Sequence, residues 1–289
     1  LNTTQQNLLG ITWMLAFTFF AASNNIIIKY ASSNLHPFVI AFFSSIFSLL
    51  ICIPFYFKYG VSVFIPKRPF MLFVRGTINT VGAVAFFYAL SSIPVATATS
   101  LSFLAPIFAV CLAAIFLREN VGWRRWSAIA IGFLGILVIL RPGVSPIEIG
   151  HFSALIAALA FGLLFVVLRE LGKTEAVSTV TIYRAIVMAP LTFAPALIFW
   201  SWPTLEEYLL LISIGLVGTV LHFCLAAAFK WSEAPVVSPI DYMRLVWIVP
   251  FAYLLFDEVP DVFTWVGSGI VFGCATFIAI REHNLAKSV

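Results

Sequence analysis

The stretch SSIPVATATS at residues 91–100 returns as SEAPVVSPID at residues 232–241. Pro94 and Pro235 are 141 positions apart, and so are Pro54 and Pro195. Further along, FLREN (116–120) matches LFDEV (255–259), and WSAIAIGFLGILVI from Trp126 matches WVGSGIVFGCATFI from Trp265. There the offset is 139, from Glu119 to Glu258, so a deletion of two residues in the second copy reconciles the offsets. The chain therefore reads as two copies of one unit, residues 1–143 and 144–289.

Composition says what the unit is made of. Of 289 residues, 62% are hydrophobic and 10% charged, against roughly 25% charged in ordinary soluble domains. A soluble helical protein needs helices with a charged face, whereas whole segments here are apolar all round. A spanning helix takes about 20 such residues. Ten runs qualify, at 7–29, 37–57, 69–90, 94–117, 124–140, 150–169, 176–200, 207–229, 235–256 and 262–280. The expected fold is all-α and polytopic, with ten transmembrane helices. Each copy holds five of them. Five is odd, so the copies insert in opposite directions, the inverted-repeat arrangement of many secondary transporters.

Basic residues orient the chain. With a cytoplasmic N-terminus, eleven of the 16 Lys and Arg fall in inside loops and only Lys29 and Arg141 in outside ones. Both termini are expected in the cytoplasm, and the first apolar run is too long for a cleavable signal peptide. The remaining three, Arg75, Arg184 and Arg244, lie inside spans, as do His222 and Asp241.

Charges at membrane depth are costly, and they normally face a bundle interior or a wet cavity. Arg75 stands about 9 Å along its span, Arg184 and His222 about 12 Å from the same face, and Asp241 and Arg244 about 9 and 14 Å, at 1.5 Å per residue. All five fit one slab. Arg75 and Asn79 share a helix stripe with Gly82 and Phe86, and Asp241 and Arg244, at i and i+3, share a face and can pair. If that pair is only a structural lock, Arg75 and Arg184 still lack an acid, and arginine does not deprotonate. The expected site is a polar cavity in which Arg75 and Arg184 hold a carboxylate or phosphate and Asp241 holds an ammonium, or Arg244 when empty. Tyr242 supplies an aromatic wall and Asn79 a polar one. Trp247 reads as packing. His222 is either a proton carrier or a histidine bonded between helices. Asn24 and Asn25 lie outward of the slab. Glu119 and Glu258, at opposite faces, read as helix-end contacts outside the site.

Other classes fare worse. Among spans there is no HExxH, GxSxG or paired-Asp arrangement, and there is no Walker motif, so no enzymatic activity, cofactor or metal is expected. Cys52, Cys111, Cys224 and Cys274 sit singly in apolar runs and read as small buried hydrophobes. The net charge of +4 is spread over loops, so no nucleic acid is expected. The expected partners are membrane lipid and a small-molecule substrate. Gly269 and Gly273 form a GxxxG that leaves a homodimer open.

The stretch RGTINTVGAVAFFYALSSIPVATATSLSFLAPIFAVCLAAIFLRENVGWRRWSAIAIGFLGILVILRPG (75–143) resembles the EamA-type family of the drug/metabolite transporter superfamily, through FYAL, LAPIF, LRE and a Gly-rich span closing on a basic residue. EAPVVSPIDYMRLVWIVPFAYLLFDEVPDVFTWVGSGIVFG (233–273) resembles its second repeat. The resemblance implies a central cavity and transport of a small polar metabolite, such as an amino-acid-like zwitterion, across a bacterial cytoplasmic membrane. An importer or exchanger of a larger metabolite such as S-adenosylmethionine or riboflavin is the alternative, and an intramembrane enzyme, receptor or scaffold is the alternative of another class. The second copy departs from the first in one respect. Pro106 has no partner at Leu245, and Pro250 comes later, so the halves need not flex alike.

Overall fold

The computed structural model describes residues 3–53, 65–117, 123–141, 146–232 and 234–286. Glu119, Pro54 and the expected boundary between the copies at 143/144 lie outside them. Among the described residues ten helical spans follow one another: α1 Thr3–Ala31, α2 Pro37–Ile51, α3 Pro69–Ser92, α4 in two pieces, α5 Trp123–Leu140, α6 Ile149–Gly172, α7 Val177–Ile198, α8 Leu205–Trp231, α9 in three pieces, and α10 Val262–Ala286. Five of them, α1, α3, α6, α7 and α8, are individually long and apolar enough to cross a membrane. Large apolar side chains such as Leu134, Phe152, Leu197, Leu254 and Val266 point outward. A lipid solvent accepts that surface, and helices satisfy their own backbone within it.

The helix partners reveal the symmetry. α1 packs on α8, and the equivalent pair α6 on α3 does the same. α7 meets α3 as α2 meets α8. α4 lies on α6 as α9 lies on α1, while α2–α7 and α5–α10 map onto themselves. Exchanging the halves reproduces the contact pattern, as two inverted five-helix repeats require. Residue pairs repeat it: a Cβ at Gly132 would lie 3.7 Å from Cys274 Cβ, and one at Gly135 would lie 3.0 Å from Val271 Cγ2. Each residue in the first pair is the repeat mate of one in the second.

Spans 94–117 and 235–256 read as continuous from sequence, and both are broken. α4 comprises Val95–Ser102 and Ala105–Leu117. Pro106 has no N–H for the Ser102 carbonyl, and the chain tightens there, with Phe103 N–H reaching Ser100 O at 3.3 Å and Leu104 N–H reaching Leu101 O at 3.2 Å. α9 comprises Ala234–Val237, a 3₁₀ stretch Ser238–Met243 and Arg244–Phe256. Pro239 removes the N–H that would meet the Pro235 carbonyl, which favours the tighter winding. The breaks fall at matched places but differ in kind. Tyr242 and Phe103, 139 apart like the other mates in this stretch, meet across the interface of the halves. Their rings are 4.5 Å apart, and the Tyr242 hydroxyl donates to the Phe103 carbonyl at 3.2 Å.

Candidate functional site

Between the halves lies a cavity of about 900 Å³, counting its open mouth. Its walls come from both repeats: α1, α2, α3 and α4 on one side, α6, α7, α8 and α9 on the other. Phe17, Phe86, Phe161 and Phe165 give it aromatic faces. The broken helices matter most. Ser102 and Ala105 line the cavity at the break in α4, and their repeat mates Asp241 and Arg244 line it at the 3₁₀ stretch of α9. One half thus presents a hydroxyl and a methyl where the other presents a carboxylate and a guanidinium.

Asp241 and Arg244 are both buried and form an ion pair through Arg244 Nη2 and Asp241 Oδ2. Tight winding brings these two side chains together one turn apart. The guanidinium carbon also stands 5.5 Å from the centre of the Phe103 ring and 5.7 Å from that of Phe17, within range of a cation–π attraction. The pair does not use up its polar atoms, since Asp241 Oδ1 and Arg244 Nε have no hydrogen-bond partner.

Arg184, from α7, also lines the cavity. Its Nη2 donates to Ser48 Oγ at 2.7 Å, and that hydroxyl shares a hydrogen bond with Thr219 Oγ1 at 2.5 Å. Its Nη1 finds only the Met188 sulfur, at 3.8 Å, and its Nε has no partner. Asn79 Nδ2 points to the same sulfur at 3.9 Å. Thioethers are weak acceptors, so these donors remain available to a better one. His222 lines the cavity with its Nδ1 unpartnered, and Asn24 does so with its Oδ1 unpartnered.

Of the seven residues singled out from sequence, Asn79, Arg184, His222, Asp241 and Arg244 line this one cavity. Arg75 and Tyr242 do not. Tyr242 turns its hydroxyl to the Phe103 carbonyl and its ring to Phe272, 4.8 Å away. Arg75, one turn from Asn79 on the same face of α3, lies beyond the lining at 0% exposure. Trp247 packs edge-on against Phe19. Asn24 and Asn25 join the wall, as do Ser44 and Phe17. Ser44 and Ser48, four apart on α2, were a visible polar stripe that pointed to this face.

One end of the bundle carries a second constellation. Glu258 accepts from the Val95 N–H at 2.8 Å, where α4 begins. A carboxylate is favoured at a helix start. Lys29 Nζ stands 3.5 Å from Glu258 Oε1 and donates to the Ile93 carbonyl at 3.1 Å. Arg141 pairs with Asp261 and lies 4.6 Å over the Phe263 ring. Asp261 Oδ1 also accepts from the Thr264 N–H at 2.7 Å. Partial burial alone would raise its pKa, but the Thr264 bonds and Arg141 outweigh this and hold the carboxyl below its usual value. Both ion pairs join one half to the other, and among the described residues no other ion pair does. At the opposite end Arg169, near the end of α6 as Lys29 is near the end of α1, is exposed. The halves touch there through Arg68 N–H on Glu175 at 2.6 Å and Ser232 on Asn7 at 2.9 Å. Gly269 and Gly273 face open space, so the GxxxG does not pack within the bundle.

Comparison with known proteins agrees with this architecture. A crystal structure of 18% identity superposes with a TM-score of 0.67, over 96% of this chain and 99% of that one. The S-adenosylmethionine uptake transporter of Rickettsia bellii (strain RML369-C) is 34% identical over 276 residues, 96% of this chain and 95% of the relative. The riboflavin transporter of Vibrio cholerae is 26% identical over 96% of this chain and 97% of that protein. The pseudopaline exporter of Pseudomonas aeruginosa is 28% identical over 89% and 90%. These relatives are transporters rather than enzymes. The EamA-like transporter family model matches twice, at residues 8–141 and 148–280, and the chain belongs to that family of integral membrane transporters.

Proposed function

We propose that the chain is a secondary transporter carrying a small metabolite with a carboxylate and a cationic centre across the bacterial cytoplasmic membrane, with S-adenosylmethionine as the leading substrate. The observation that carries this reading is one cavity holding free donors on Arg184 and a free oxygen on Asp241. The substrate carboxylate takes Arg184 and Asn79, with Arg75 adding its field from one turn along α3. Its ammonium or sulfonium takes Asp241 Oδ1, and Arg244 gives way toward the rings of Phe17 and Phe103. An aromatic base stacks on the phenylalanine walls. His222 adds a donor or acceptor, and Tyr242 fixes the α9 backbone that presents Asp241. Riboflavin has neither a carboxylate nor a permanent cation, so it would leave these charges unanswered. An amino-acid zwitterion uses the same two ends and is the smaller alternative.

The two copies, 1–143 and 144–289, act as the rocking units of alternating access, with both termini cytoplasmic, as the distribution of basic residues favours. The Lys29–Glu258 and Arg141–Asp261 contacts then close the outer end in this conformation, and the cavity communicates inward. Glu258→Ala removes the ion pair and the acceptor for Val95. Glu258→Gln keeps the acceptor. Uptake is expected to fall several-fold in the first and less in the second, measured in vesicles at matched expression. Equal uptake in wild type and both variants would exclude this end as a gate.

The substrate is tested by a thermal-shift screen of the purified protein against S-adenosylmethionine, amino acids, riboflavin and nucleotides, followed by uptake of the labelled hit. A ligand of the folded state raises the melting temperature. S-adenosylmethionine is expected to give a saturable shift and uptake. A shift with riboflavin alone would overturn the reading.

A further inference from the structure

Two permanent cations stand close together in the interior without an acid. Arg75 on α3 is wholly shielded, and its Nε, Nη1 and Nη2 all lack a hydrogen-bond partner. Arg184 on α7 shares the Met188 sulfur with Asn79, one turn from Arg75 on the same face of α3, at 3.8 and 3.9 Å, and His222 on α8 lines the same cavity as Arg184. The neutral groups around Arg184 are Ser48, Thr219, Met188 and the Cys52 thiol. The described carboxylates that are buried are committed elsewhere: Asp241 to Arg244, Glu175 to the Arg68 N–H, and Glu207 to the Thr204 N–H. Hydroxyls and water can solvate a guanidinium but cannot neutralise it. Two such charges in a low-dielectric interior are strongly unfavourable without an anion.

The packing limits the size of that anion. A Cβ at Gly76, beside Arg75, would fall 2.5 Å from Val187 Cβ, so α3 and α7 touch with no slack there. A Cβ at Gly215 would fall 2.7 Å from Phe47 Cβ and 3.1 Å from the Ser44 carbonyl, so α8 and α2 are equally close. Arg75 itself has no exposed surface, so an organic acid could not reach its guanidinium without parting these helices, whereas a single-atom anion asks only for a shift of the flexible arginine side chain.

We infer that a small inorganic anion of halide size binds between Arg75, Arg184 and His222, beside the substrate cavity and one turn along α3 from Asn79. Rather than arriving with the substrate, it is a separate ion that offsets one of the two guanidinium charges and leaves the remaining positive field and the outward donors of Arg184 to the substrate carboxylate. The inference rests on the proposed cavity only for its position relative to substrate. Its test needs no substrate.

Purified wild-type protein is melted in sodium chloride and in sodium gluconate at equal ionic strength, with the halide titrated. Chloride is expected to raise the melting temperature by several degrees and to saturate, while gluconate does not. Arg75→Gln should lose the chloride shift. In gluconate it should melt at or above wild type, because the uncompensated charge is gone, a sign that a merely structural arginine would not give. A variant that melts below wild type by the same amount in both salts would overturn the inference. Radiolabelled chloride on the wild type supplies an independent reading should the variant not fold. A single ion per chain, displaced by bromide and not by S-adenosylmethionine, is expected. Absence of saturable binding, or displacement by S-adenosylmethionine, would overturn the separate seat. A wild type that shifts with chloride but not with S-adenosylmethionine would sink the proposed substrate and leave the anion standing.

Discussion

Asp241→Ala is expected to abolish uptake and to destabilise the protein by about 3–5 kcal/mol, the usual cost of stripping one partner from a buried ion pair. Arg244 would be left charged and shielded, beside the rings of Phe17 and Phe103. The informative comparison is with the double variant Asp241→Asn/Arg244→Leu. It removes both charges together and keeps comparable volumes, so most of the lost stability should return. Uptake should not return, because the carboxylate charge that receives the substrate cation is gone. Melting temperature and transport on the same preparations separate the two roles. If the double variant regains uptake with stability, the pair is a helix lock and nothing more.

Arg184→Ala is the other large effect. Losing a charge-assisted contact to a substrate carboxylate costs about 2–4 kcal/mol, or about 30- to 1000-fold in uptake kcat/KM. Stability should suffer much less, for a structural reason. The Ser48–Thr219 bond survives without Arg184, Thr219 keeps its bond to the Gly215 carbonyl at 2.7 Å, and the repulsion with Arg75 is relieved. Arg184→Lys restores the charge but not the planar fork, so it should recover only part of the activity. Kinetics of labelled substrate uptake, with surface expression as the control, give the result. An Arg184→Ala protein that transports normally would remove Arg184 from the substrate path.

Much of the architecture was legible in the chain. An odd number of spans per copy requires inversion, and the helix partners in the bundle exchange as that inversion demands. Asp241, Arg244, Arg184, Asn79 and His222 could be brought to one slab because depth follows from a fixed rise per residue. What depth cannot give is direction around the helix axis when a helix is apolar on all sides. Tyr242 is the case in point, turning to Phe103 and Phe272, whereas Arg75 shares its face of α3 with Asn79 and falls one turn beyond the lining. The breaks in α4 and α9 were also hidden in apolar runs of spanning length, although Pro106 and Pro239 carried the signal. The contact of Glu258 with Lys29 and Val95 joins segments far apart in sequence, and nothing local announces it beyond the position of Glu258 at a helix end.

The most direct test measures S-adenosylmethionine binding by calorimetry, comparing wild type with Arg184→Gln and the double variant Asp241→Asn/Arg244→Leu, each first shown to be folded. Saturable binding in the wild type, and its loss in both variants, is the predicted result. Wild-type affinity retained in both folded variants would contradict a substrate seat between the two halves.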